Sequence, residues 1–325
     1  MKVNKQKTIE SRVRAHQMKT SNLIDFIATL GISPSENNLN FVKDIIHSSH
    51  HFYRSFKIPK RKGGLREISV PFQTLHYIQS IIKDKILLDL PIHKNAFSYM
   101  KKRSAIDHAR HHCCSQELLM LDIKDFFPSI SKQDVFNILS TSKTSDINAN
   151  YLSHLCTLNN SLPQGACTSP VLSNAIMFKI DCRLDKLAEA FDLKYSRYSD
   201  DLAFSGKKIP KKLIKITQAI LKENDFDINP DKTKLKLEGT KKIITGVSIS
   251  SGELKAPKVF KRELRARVYE LEKFQHDLFK TTNFDPLIYE KTIGKLNYLL
   301  QIEPENNYAI KKRALLIASY KQLIL

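Results

Sequence analysis

KYSRYSDDLAFSG, residues 194–206, sets Asp200 and Asp201 side by side inside a run that otherwise reads as strand. Tyr195, Arg197 and Tyr198 lead in, and Leu202 and Phe204 alternate with Ala203 and Ser205 on the way out. Period-2 alternation predicts a half-buried hairpin. Adjacent carboxylates repel, and desolvating them is costly unless a cation compensates. Two readings are open at this point: a polar turn built from good turn residues, or a turn that presents carboxylates to a divalent metal.

Composition narrows the choice. The chain has 325 residues, 42% of them hydrophobic, enough for a substantial core in two or three subdomains. Lys and Arg number 53 against 33 Asp and Glu, a net charge of +20 spread along the whole sequence. A positive field of that kind suits a polyanion, and nucleic acid is the usual one. No apolar run reaches membrane-spanning length, no lipidation motif is visible, and the basic, polar N-terminus has no apolar signal-peptide core. A cytoplasmic protein without membrane contact is therefore expected. The five cysteines form no CxxC pair, which argues against a disulfide framework and a zinc ribbon. HARHHCC, residues 108–114, lacks the paired ligand spacing of zinc modules.

Residues 1–50 read mainly as helix. FKIPKRKGGLREISVPF, residues 56–72, reads as a hairpin turning at Gly63-Gly64. LLMLDIKDFFPSI is an apolar strand ending in charge at Asp122 and broken by Pro128. LPQGACTSP leads into a long helix, with Ser169 expected as N-cap and Pro170 at its first position. A helix near 210–224 and several short strands follow. From Pro257 the chain reads as basic helix, with Phe260, Leu264, Val268, Leu271 and Phe274 as its apolar stripe.

Asp122, at a strand end, gains meaning if it meets Asp200 and Asp201. Three carboxylates from two strands suffice to hold two divalent cations, and hard oxygen ligands suit Mg²⁺. Two such ions activate an attacking hydroxyl and stabilise a departing pyrophosphate. Gly165 allows close backbone approach to a substrate, and Gln164 offers an amide beside a helix N-terminus that favours negative charge. Lys60, Arg61, Lys62 and Arg66 on the hairpin carry charge enough to neutralise a triphosphate.

In order, LREISVP, LDIKDFFPSI, LPQGACTSP, YSDD, NPDKTKL and ITGVSIS resemble the successive motifs of reverse transcriptases, over roughly residues 55–255. The resemblance implies an α+β right-hand polymerase fold, with an antiparallel palm sheet, fingers and a helical thumb. The expected division is an N-terminal helical extension at 1–50, fingers and the start of the palm at 51–121, the palm at 122–255 and the thumb at 256–325. It also implies that Asp122 and Asp200 are the main metal ligands, with Asp201 beside them and the Ile123 carbonyl completing the sphere. Two Mg²⁺ ions are expected, with Mn²⁺ as substitute. Phe127 matches the aromatic under the nucleotide sugar, so deoxynucleotides (dNTPs) are the expected substrate. Gln164, Gly165, Arg66, Lys62 and Lys232 match nucleotide-binding positions. Lys232, or Lys234 two residues on, is the expected proton donor to pyrophosphate, and Tyr198 is expected to pack beneath the hairpin.

Among reverse transcriptases, the chain resembles the compact bacterial retron enzymes, and at this length no RNase H or integrase domain is expected. An Asn-Ala-x-x-His motif of that family has its counterpart at 108–112, where Ala109 and His112 match and His108 replaces the asparagine. A Val-Thr-Gly motif has its counterpart in Ile244-Thr245-Gly246. RNA contact is the role this implies for Ala109, His112, Thr245 and Gly246, and Lys261, Arg262 and Arg265 on the thumb are expected to grip the same RNA. Ser199, where alanine is more common, is expected to be sterically tolerated. The implied partners are a cognate structured non-coding RNA, its DNA product and a separate effector protein, with priming from a 2′-hydroxyl of an internal guanosine and a role in antiphage defence. Two alternatives stay open: another standalone bacterial defence or diversity-generating reverse transcriptase, and a catalytically inactive RNA-binding protein of polymerase fold.

Overall fold

The computed structural model describes residues 20–60, 63–142, 144–273 and 285–324. Lys62, Arg61, Phe274 and the first nineteen residues lie outside that set. Two short helices open the described chain, α1 (Thr20–Thr29) and α2 (Glu36–His47), the second capped by Ser35 accepting from the Asn38 amide. The hairpin β1 (Tyr53–Pro59) and β2 (Leu65–Pro71) pairs antiparallel from Tyr53↔Pro71 to Pro59↔Leu65. Gly63 and Gly64 take φ of 87° and 81° in its turn, a region that only glycine enters without strain.

Helix α3 (Gln73–Lys85) follows, then α4 (Ala105–His111), which starts at a capping box of Ser104 and Asp107. Strand β3 (Glu117–Asp122) leads to α5 (Lys132–Ser140), capped alike by Ser131 and Asp134, and α6 (Asp146–Cys156). The long helix α7 (Ser169–Glu189) begins one residue earlier than its sequence signal suggests. Thr168 occupies the cap position, and the Ser169 hydroxyl instead donates to the Pro163 carbonyl at 2.8 Å. The hydroxyl closes the preceding loop, a tertiary demand that outbids capping.

Strands β4 (Leu193–Tyr198) and β5 (Asp201–Gly206) form the expected hairpin, and α8 (Lys212–Lys222) and β6 (Lys234–Lys236) follow. The central sheet is antiparallel in the order β4-β5-β3-β6. Its register and the pleat sort side chains to two faces. Leu119, Leu121, Tyr195, Arg197, Leu202 and Phe204 share one face. Asp122, Ser196, Tyr198, Asp201, Ala203 and Ser205 share the other. The first face joins a core that runs from Leu23 and Phe26 of α1 through α3, α5, α6 and α7. The N-terminal helices therefore share the sheet's own core, with the Phe26 and Tyr151 rings 5.1 Å apart.

A small hairpin, β7 (Ile243–Ile244) and β8 (Val247–Ser248), leads to α9 (Lys258–Lys273), α10 (Ile288–Ile302) and α11 (Asn307–Ile324). These pack a second core with Ile106 and Ala109 of α4 and with Leu118 and Ala203 of the sheet. Leu264, Val268 and Leu271 of the expected stripe are buried there, with Phe260 at the margin. No described helix is long and apolar enough to cross a membrane.

Candidate active site

The pairing of β3 with β5 sets Asp122 directly opposite Asp201 on one face. Asp200 sits one residue back, in the two-residue turn closed by the Tyr198↔Asp201 pair. Its carbonyl accepts from the Ile123 amide at 2.8 Å, which ties the turn to the end of β3. The Ile123 side chain is buried in the core below. Strands so short-looped favour a turn with positive φ at the first central residue, normally glycine. Ser199 occupies that position at φ 59°. The strain is held from outside the turn. The Ser199 amide donates to Ser98 Oγ at 2.6 Å, and its carbonyl accepts from Arg197 Nη1 at 3.2 Å.

Electrostatically the cluster is under-compensated. Burial, with repulsion from Asp122, raises the pKa of Asp200. Asp201 remains exposed, yet desolvation and the charges of Asp200 and Asp122 raise it to about 6. Asp122 is 5% exposed and its Oδ1 lies 2.6 Å from Lys232 Nζ. Burial alone would lower the Lys232 pKa, but this bond and the three carboxylates raise it. Lys232 thus answers all three acids, and Lys234 adds its charge at Asp201 without cancelling the upward push. Among the described residues no three His, Cys, Asp or Glu side chains are gathered closely enough to hold a metal ion. The donor set nonetheless fits one: hard carboxylate oxygens with excess negative charge, and a cation already seated on Asp122.

That excess has a measurable consequence. The Asp201 pKa in the folded chain, about 6, exceeds its ordinary 3.8, so the native state holds this proton more tightly than the unfolded state. Ionised Asp201 therefore costs stability, fully above pH 6 and not at all below pH 3.8. In EDTA at pH 7.5, Asp201→Asn should be more stable than wild type by about 1 kcal/mol, after discounting for solvent screening. Urea titrations at pH 7.5 and 4 test this, because the gap should close at the lower pH.

A family model described as reverse transcriptase (RNA-dependent DNA polymerase) matches residues 58–284, more than half of the chain. The chain belongs to the reverse transcriptase family. It is 29% identical over 301 residues to the retron Mx162 reverse transcriptase of Myxococcus xanthus, covering 81% of this chain and 62% of that one. It therefore spans less than two thirds of that relative's length. With the retron Ec86 reverse transcriptase of Escherichia coli it shares 28% identity over 232 residues, covering 70% of this chain and 72% of the relative. Among solved structures, Candida albicans telomerase with a telomeric RNA fragment aligns at a TM-score of 0.46 and 12% identity, over 82% of this chain and 56% of that one.

In this reverse transcriptase fold the palm sheet carries the carboxylates, and the remaining sequence candidates fall around it unevenly. Phe127, in the turn that follows the strand ending at Asp122, is buried, its ring 5.3 Å from Phe126 and 6.3 Å from Tyr99. The Gln164 carbonyl accepts from the Ser69 amide of β2 at 2.9 Å. Gly165 has φ 140°, and a Cβ there would lie 2.6 Å from the Ser69 carbonyl oxygen. The close approach that demands glycine is thus to the fingers hairpin, where the sequence suggested a substrate. Gly165→Ala should push β2 away and lower nucleotide affinity about tenfold or more, given a strained φ and a backbone clash. A dNTP titration against wild type checks it. Arg66 is exposed on β2 opposite Ile58.

The two histidine-motif residues need correction as RNA contacts. Ala109 and His112 are both fully buried. His112 bridges Ser205 Oγ at 2.7 Å and Ser196 Oγ, and His108 reaches the same Ser196 oxygen at 2.7 Å. His108 also stacks on Tyr198, centroids 5.5 Å apart. Burial lowers the His108 pKa to about 3 and takes His112 well below its usual range, so both are neutral. They fasten α4 to the face of the sheet that carries Asp122 and Asp201. Thr245 is half-buried, its hydroxyl donating to the Ala105 carbonyl at 2.7 Å, and Gly246 beside it is exposed. The sequence reading missed Arg197. Its signal was there: an arginine at a core-facing position of an alternating strand needs a buried acid, and Asp181 supplies it.

Proposed function

We propose that this chain is an RNA-directed DNA polymerase of retron type. It would copy part of a cognate structured RNA into single-stranded DNA from a 2′-hydroxyl of an internal guanosine. The observation that supports this most is the Asp122–Asp201 pair with Asp200 beside it, on a strongly basic chain similar to retron reverse transcriptases. Asp122, Asp200 and Asp201 would hold Mg²⁺, which when bound supplies Lewis-acid activation of the attacking hydroxyl and neutralises pyrophosphate charge. Phe127 would lie against the sugar and exclude a 2′-hydroxyl. Gln164 borders the nucleotide, and Arg66 with Lys62 would neutralise the triphosphate. Lys232 would exchange Asp122 for pyrophosphate, to which it can give a proton. A role in antiphage defence with a separate effector belongs to the same reading, as does a cytoplasmic location.

Lys261 is paired with Glu303 at 2.9 Å and Arg265 lies over the Tyr308 ring at 5.1 Å. Lys258 and Arg262 line the same groove of α9. We assign this groove to the RNA. Reversing charge at Lys258 and Arg262 should weaken binding of the cognate RNA about tenfold or more at 150 mM salt. A filter-binding salt series checks it, and an unchanged salt slope would remove the thumb from the RNA interface.

The deciding experiment expresses the chain with its flanking DNA, beside an Asp200→Asn, Asp201→Asn control. Co-purifying nucleic acid is then treated with RNase, DNase and debranching enzyme. A short DNA joined to RNA through a branch, absent from the control, supports the retron reading. DNA without a branch leaves another standalone reverse transcriptase. Identical wild type and control favour an inactive RNA-binding protein.

A further inference from the structure

Ser199 is expected from its sequence to be a tolerated replacement for alanine, but its hydroxyl has a partner. Ser199 Oγ and Tyr99 Oη share a hydrogen bond at 2.8 Å. An alanine could not make it. With the amide on Ser98 and the carbonyl on Arg197, every polar group of the strained residue is then held. Two of these three contacts come from one segment, residues 95–99. That segment runs beside β4: the Phe97 amide donates to the Arg197 carbonyl at 2.8 Å, and the Arg197 amide to the Asn95 carbonyl at 2.9 Å. Its far side is fixed by Asn174 of α7, whose side-chain amide donates to the Ser98 carbonyl at 3.0 Å.

Tyr99 itself takes φ 60°, unusual for a residue with a large side chain. It keeps 46% of its surface exposed, although its neighbours Ser98 and Ala96 are buried. Its ring lies 6.3 Å from that of Phe127, tilted by 53°. One side chain therefore touches the catalytic turn with its hydroxyl and packs its ring beside the candidate sugar-contacting ring. A residue serving packing alone would have no need of strain, exposure and a bond to the turn together.

We propose that Tyr99 is a positioning residue for this site. Through Ser199 its hydroxyl fixes the turn that aims Asp200 and Asp201, and its ring is, with Phe127, a wall of the space for the nucleotide sugar. The proposal rests on the polymerase reading above. It adds a residue outside the recognised motifs and gives the serine of YSDD a purpose.

The test compares wild type with Tyr99→Phe, Ser199→Ala, the double variant and Tyr99→Leu. Single-turnover extension of a DNA primer on RNA gives rate and nucleotide affinity, and electron-paramagnetic titration with Mn²⁺ gives metal affinity without any turnover. Tyr99→Phe should slow extension about 3- to 10-fold, as for loss of one neutral hydrogen bond. Ser199→Ala, which also loses its bond to the Asp200 carboxylate, should slow it at least as much, with dNTP affinity unchanged in both. Each should weaken Mn²⁺ binding, and the double variant should be no worse than the worse single one. Tyr99→Leu should in addition lower discrimination against ribonucleotides, which Tyr99→Phe leaves intact. Wild-type rate and Mn²⁺ affinity in Tyr99→Phe, or multiplying effects in the double variant, would overturn the proposal. A wild type that binds Mn²⁺ more tightly than Tyr99→Phe yet extends no primer keeps the positioning role and removes the polymerase reading. A wild type without Mn²⁺ binding or extension removes both.

Discussion

Asp200→Asn should leave the chain folded and, on the polymerase reading proposed above, lower nucleotide incorporation by about 10³-fold or more, the scale of several kcal/mol of metal-supplied stabilisation lost. The fold should survive because the contact that ties this residue to β3 is made by its carbonyl, which asparagine keeps. The carboxylate itself is held against burial and against the charge of Asp122, so the neutral amide removes repulsion. Melting temperature in EDTA should therefore be equal or higher, while Mg²⁺ should stabilise the variant less than wild type. Single-turnover kinetics beside calorimetry with and without Mg²⁺ measures both. A variant that incorporates at more than a tenth of the wild-type rate would remove Asp200 from the chemistry.

Arg197→Met has the largest expected effect on stability. The guanidinium is fully buried and bonds both oxygens of the equally buried Asp181, at 2.8 and 2.7 Å. It also donates to Asn174 Oδ1 at 3.0 Å, and Tyr195 donates to Asp181 at 2.7 Å. Removing one partner strands a buried charge, which costs about 3–5 kcal/mol. Replacing both, with Asp181→Leu added, should recover much of this, since a well-packed apolar pair can match a buried ion pair. Activity should not return with it, because the Ser199 carbonyl has still lost its donor. Urea denaturation and extension assays on the single and double variants separate the two roles. Full recovery of activity in the double variant would show that Arg197 serves the core alone.

Much of the site was legible because it is local. Alternation in β4 and β5, the Ser-Asp-Asp turn and the Gly63-Gly64 turn are each set within a few residues, by side-chain period and by permitted φ. The ordered motifs carried the fold class in the same way, since each keeps its chemistry in a short window. The helix start at Ser169 was legible to within one residue, and the miss came from a hydroxyl recruited by the Pro163 carbonyl.

What only the tertiary structure decided is pairing between distant segments. Sequence placed Asp122 at a strand end, but the register of β3 against β5 set it across from Asp201, and Lys232 on top of it. Ala109 and His112 lie in a motif that suggests surface contact, yet α4 packs on the sheet and buries both, Ala109 in the second core and His112 against Ser196 and Ser205. Gly165 announced a close approach without naming the neighbour, which proved to be Ser69. Turn chemistry and periodicity act along a few bonds, whereas burial and partner choice follow from which faces meet when the apolar sides of the sheet and helices leave water.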